Sequence, residues 1–222
     1  MGRLTNVLVP ILLAAAGVVL VRAPFVIAAA PYEVSMGEVS KIFYFHVPVA
    51  ITFMLSAFVC GISSVVFLVR RSRGADHVAL AAAELAVVFG LMVLGTGPFW
   101  ARKAWGVWWV WEARLTITLV MWMVFVSYLL LRRFGGPGSE LLAAAVSVFG
   151  MALVPFVYWS VNLWRTMHPT TNVLPTLPAS MGAPILWCVL GFICLYVGTL
   201  LVGVRLERSR ALLEDAYLAL ED

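Results

Sequence analysis

Charge is what this sequence has least of. Asp, Glu, Lys and Arg make up 12% of its 222 residues, while 63% are hydrophobic and the mean hydropathy is +1.01. A soluble domain carries about 25% charged residues. So little charge cannot cover a water-soluble globule of this size, which excludes a soluble enzyme, a nucleic-acid binder and a disordered linker. Cysteine is also scarce: Cys60, Cys188 and Cys194 lie in apolar runs with no CxxC pair. That pattern excludes a disulfide framework and a thiolate metal cluster, leaving three small buried hydrophobes. No GxxxxGK[ST] occurs, so any use of ATP belongs to another subunit. The chain is expected to carry no enzymatic activity of its own.

Long apolar runs are what the sequence does have. A bilayer core about 30 Å thick needs roughly 20 apolar residues in a helix, and six stretches qualify: about 4–21, 47–69, 78–97, 115–131, 141–161 and 184–204. Lipid cannot satisfy open backbone groups, so each is expected to be helical. The fold class is therefore an all-α integral membrane protein, a single six-helix domain over residues 1–222 with a tail at 205–222. The first stretch has Arg3 ahead of it and Ala28, Ala29 and Ala30 behind, as a secretory leader would. Its apolar run exceeds a leader's core and Arg22 interrupts the approach to the alanines, so it is expected to stay as a helix.

The net charge of +4 reports topology rather than a polyanionic partner. Arg3, Arg70, Arg71, Arg73, Arg132, Arg133, Arg205, Arg208 and Arg210 abut span ends on one side. Arg22, Lys41, Arg102, Lys103, Arg114 and Arg165 fall on the other. The positive-inside rule then makes both termini cytoplasmic and turns the loops at about 22–46, 98–114 and 162–183 outward. In the tail, Leu206, Leu213, Tyr217 and Leu220 recur at helical spacing. Glu84 interrupts the third span, where a carboxylate either bonds to a neighbouring helix or serves a transport path.

Span parity sorts the three histidines. His46 precedes span two and His168 follows span five, four crossings apart and so on one side; His77, one crossing from His46, is on the other. Five of the nine tryptophans fall between Trp100 and Trp111, in a loop on the side of the histidine pair. Were Trp105 to Glu112 helical, Trp105, Trp108, Trp109 and Glu112 would share one arc of about 100°, with Trp111 to the side. The result would be an aromatic shelf flanked by Arg102, Lys103 and Arg114. Two imidazoles, such a shelf and several cations are what haem needs: axial ligands, ring contacts and partners for propionates. No CxxCH occurs to hold haem covalently.

Three segments carry a family resemblance. WGVWWVWEARLT resembles the tryptophan-rich "WWD" signature of the haem-handling membrane proteins of cytochrome c maturation. KIFYFHVPVA and SVNLWRTMHP resemble the segments bearing that family's two outer histidines. Length, span number and motif order resemble the shorter CcmC-type haem exporter C branch. The larger CcsA-type synthases have further histidines and a bigger outer domain. The resemblance implies His46 and His168 as axial ligands of a transient, non-covalent haem b. It implies Trp105, Trp108, Trp109 and Trp111 as its platform. It also implies a bacterial inner-membrane protein that passes haem to a periplasmic haem chaperone, alongside ABC transporter subunits and a small membrane subunit. The signature usually ends in Asp; here Glu112 keeps the charge on a chain one methylene longer. Two other classes fit a haem or solute site in a bundle: a permease subunit, for which Glu84 speaks, and a b-type electron-transfer subunit, which would place histidine pairs within its spans.

Overall fold

The computed structural model describes residues 2–34, 36–170 and 173–221. Its elements are the helices α1 (Gly2–Ala29), α2 (Phe43–Arg70), α3 (Arg73–Trp105), α4 (Ala113–Phe134), α5 (Ser139–Leu163), the single turn α6 (Val173–Thr176) and α7 (Ala179–Glu221), with a 3-10 turn at Glu38–Ile42 before α2. Six of them are long and apolar enough to cross a membrane, so the chain is an all-α membrane protein. Asp222, which closes the tail, lies outside the described residues.

The helices outrun the apolar stretches because polar ends find partners. α1 continues past Val21 through Arg22 and Pro24, since one proline removes only one ladder bond and the Arg22 guanidinium lies 6.0 Å from the centre of the Trp187 ring. α3 runs on through Pro98 to Trp105 and stops at Gly106, whose φ of 77° suits a left-handed cap. α7 does not break at Arg205: span and tail form one helix of 43 residues. The loop after α5 contains the turn α6 around Pro175.

α2 is central, packed against α3, α5 and α7; α4 lies on α5 and α3, and α1 on α7. The core joins Val49, Phe53, Ala57 and Cys60 of α2 to the alanine-rich face of α3, with Phe125 of α4 and Phe192 and Tyr196 of α7. Lipid offers no hydrophobic drive between helices, so close packing and a few buried hydrogen bonds hold them together. Ser147 Oγ donates to Ser64 Oγ at 2.6 Å and Ser56 Oγ to the Ala82 carbonyl at 2.7 Å. Small residues set the α1–α7 seam. Val9, Ala16 and Ala23 are buried at seven-residue intervals on α1. On α7, side-chain-free Gly191 and Gly198 admit Leu20 and Leu13.

His77 and the Asp76–Arg132 pair sit where α3 begins and α4 ends. That pair is bidentate, at 3.0 and 2.8 Å. His46, in the first turn of α2, and His168, after α5, lie at the other end of the bundle, the histidine end. Glu84 sits on the outside of α3. It makes no hydrogen bond among the described residues, so the expected bond to a neighbouring helix is not what the fold provides.

Candidate functional site

The start of α2 is fixed before its histidine is reached. Tyr44, fully buried, donates to the Pro31 carbonyl at 2.6 Å, and Ser40 accepts from Glu33 N–H and donates to the Gly37 carbonyl. His46 is thereby presented from a rigid helix end. Its Nδ1 lies 2.8 Å from Thr96 Oγ1 on α3. A Cβ placed on the adjacent Gly97 would stand 3.5 Å from His46 Cε1, so anything bulkier than a methyl group there would press on the ring.

His168 sits on a loop, and the loop is tied down. Glu112 Oε2 accepts from Thr166 Oγ1–H and, at 2.8 Å, from Met167 N–H. Thr166 Oγ1 in turn accepts from His168 N–H at 3.0 Å. The carboxylate that ends the tryptophan motif thus pins the second histidine segment to the head of α4. It makes no side-chain cap on that helix. The Nδ1 of His168 faces the Pro169 carbonyl at 3.1 Å and Arg114 Nη1 at 3.4 Å. Burial, reinforced by Arg114, pushes its pKa down to about 4, against the pull of the Pro169 carbonyl. The imidazole is therefore neutral near pH 7, with a lone pair to offer a metal.

The two histidines line one cavity of about 450 Å³, within the size range of small-molecule sites. Trp100, Trp105 and Trp109 wall it, together with Phe43, Met54, Tyr158 and residues 169–175 other than the undescribed pair. Trp100 packs edge-on against Trp105 at 5.0 Å and lies 6.4 Å from the His168 ring. Arg114 is the cavity's cation. Among the described residues no three His, Cys, Asp or Glu side chains converge on a point where a bare metal ion would sit. Two imidazoles suffice for an iron whose equatorial positions a porphyrin fills. The donor set, the aromatic walls and the single guanidinium fit haem.

The tryptophan loop is not the helical shelf considered above: 106–112 is irregular, because Gly106 ends α3 and α4 starts only at Ala113. Its tryptophans consequently face two ways. Trp105 and Trp109 line the cavity, whereas Trp108 is 55% and Trp111 75% exposed. Trp108 packs edge-on against Phe99 with Arg102 beside it, and Trp111 edges Trp109. Arg102 folds back onto the Gly106 carbonyl, and Lys103 is exposed; neither lines the cavity. Lys41 is engaged by the Ala28 carbonyl and Glu38. Sequence reasoning passed over Trp100, although it stands in the same tryptophan cluster, because the assumed helix began at Trp105. It also passed over Thr96, whose signal is one polar residue in an apolar span.

Comparison with known proteins identifies the family of the chain. The CcmC family profile, described as heme exporter protein C, matches residues 1–216. Among individual relatives, heme exporter protein C of Bradyrhizobium diazoefficiens is 34% identical over 216 residues, covering 93% of this chain and 81% of the relative. The Haemophilus influenzae protein of the same name is 31% identical over 200 residues, covering 86% and 78%. That of Escherichia coli is 31% identical over 183 residues, covering 79% and 73%. With the profile spanning nearly the whole chain and relatives matched along most of their own length, the chain belongs to the heme exporter protein C family.

Proposed function

We propose that this protein holds haem b transiently and non-covalently in the cavity at the histidine end, with His46 and His168 as axial ligands, and delivers it to a periplasmic haem chaperone. It acts in cytochrome c maturation with ABC transporter subunits and a small membrane subunit. It resides in the bacterial inner membrane, both termini cytoplasmic and the cavity outward. The observation that carries this reading is that the two imidazoles line one tryptophan-walled cavity, His46 from the first turn of α2 and His168 from the loop after α5, far apart in the sequence.

In this reading Trp100, Trp105 and Trp109 contact the porphyrin, Arg114 pairs with a propionate, and Glu112 holds the His168 segment in place. Trp108 and Trp111, with Arg102 and Lys103, form the exposed surface that a chaperone meets. No residue is assigned a catalytic role; the chain binds, orients and releases. The permease reading rested on Glu84, which faces outward from α3 and does not line the cavity. The electron-transfer reading needs histidine pairs within the spans, and His77 lies at the opposite end from the other two.

The test is an absorbance spectrum with pyridine haemochrome quantitation of the detergent-purified protein, haem added, beside His46→Ala and His168→Ala. Wild type is expected to give a low-spin bis-histidine spectrum that both variants lose. Unchanged spectra in both variants would remove the proposal.

A further inference from the structure

The hydrogen bonds of Thr96 have an order that bears on how His46 can act. Thr96 Oγ1 lies 2.7 Å from the Met92 carbonyl oxygen one turn back along α3, and 2.8 Å from His46 Nδ1 on α2. A carbonyl cannot donate, and two oxygens 2.7 Å apart with no hydrogen between them repel. The hydroxyl hydrogen therefore points at Met92, and Oγ1 is left as an acceptor. The hydrogen shared with His46 must then come from the imidazole, which places it on Nδ1 and leaves the Nε2 lone pair bare. Among the described residues Nε2 makes no hydrogen bond. His168 has no such constraint, since its Nδ1 neighbours are a carbonyl and a guanidinium, which select opposite tautomers.

We propose that Thr96 is a positioning residue for the haem site, holding His46 in the Nδ1–H tautomer so that Nε2 is offered to the cavity. The inference rests on the reading of His46 as a haem ligand. Ligating histidines whose second nitrogen is fixed by a partner are oriented and made more basic by it. Here the partner is a hydroxyl from a neighbouring helix, so the bond also fixes the spacing of α2 and α3 at the cavity. Gly97 complements it by leaving the Cε1 edge of the ring uncrowded.

The experiment uses the full chain in detergent with ¹⁵N-labelled histidine, comparing wild type, Thr96→Val and Thr96→Ser. His46 resonances are identified by their loss in His46→Ala. Haem-free wild type is expected to show a protonated Nδ1 and a bare Nε2. Thr96→Val, which keeps the shape without the hydroxyl, is expected to give mixed tautomers. Its haem-loaded form should yield to added imidazole at a concentration about 10-fold lower. Thr96→Ser is expected to restore both. A wild-type ring protonated on Nε2 overturns the proposal without any variant having to fold. So does a Thr96→Val protein that keeps wild-type tautomer or wild-type imidazole resistance. If His46→Ala leaves the haem spectrum intact, it is the ligand assignment that fails, and the haem-free tautomer measurement still stands apart from it.

Discussion

Glu112 ties two distant pieces of chain together with one oxygen, holding Thr166 and Met167 while Thr166 holds the backbone of His168. Hydrogen bonds to a charged acceptor contribute about 1.5–3 kcal/mol each, enough to decide whether a short loop has one conformation or several. Glu112→Ala is expected to speed amide hydrogen exchange across 164–170 and to lower haem affinity about 10-fold, as losing a supporting residue does at other metal sites. Glu112→Asp, shorter by a methylene, is expected to fall between. Exchange-detected mass spectrometry and haem titration check both, and unchanged exchange in the alanine variant would show that the tether does not hold the loop. The histidines and tryptophans were legible as residue types on one side of the bundle, because parity and composition need no coordinates. The roles of Glu112 and Thr96 were not, since each depends on a partner more than 45 positions away whose approach only packing decides.

At the scale of the element, the tryptophan loop divides its side chains by the irregular backbone after Gly106. Trp109 goes inward beside Trp105 and Trp100, and Trp108 and Trp111 stay outside. A helix would have put Trp108 and Trp109 on one face. Helical periodicity therefore misplaced the loop, and the glycine with positive φ was the sign that the helix stops. Binding and hand-over should separate along the same division. Trp100→Ala and Trp109→Ala are expected to lower haem retention several-fold. Trp108→Ala and Trp111→Ala are expected to retain haem while slowing its transfer to a purified haem chaperone. Haemochrome quantitation before and after mixing measures both quantities, and equal loss of retention in all four variants would contradict the split. The spans were easier to read than the loop, because apolar length alone requires a helix in lipid. Their ends were less so: Arg22 sits within α1 beside the Trp187 ring, and α7 runs on through Arg205 without a break.

For the whole molecule, an even number of crossings places both ends of the chain on one side and the cavity on the other. Under the proposed function the side that carries the arginine clusters is the cytoplasmic one. In a cysteine-free background (Cys60, Cys188 and Cys194 replaced by Ala), Val107→Cys is expected to react with a membrane-impermeant maleimide in intact spheroplasts. Ser209→Cys is expected to react only after permeabilisation. The reverse pattern would invert the assignment and put the haem site in the cytoplasm.

The unbroken α7 has a mechanical meaning. Forty-three residues of helix measure about 64 Å, roughly twice the depth of the hydrocarbon layer, and no proline interrupts it beyond Pro184. Its first residue stands shortly after the loop bearing His168, and near its last turns Asp215 grips Arg73 at 2.8 Å. One continuous helix therefore joins the segment that follows the His168 loop to the Arg73 contact at the opposite end of the bundle.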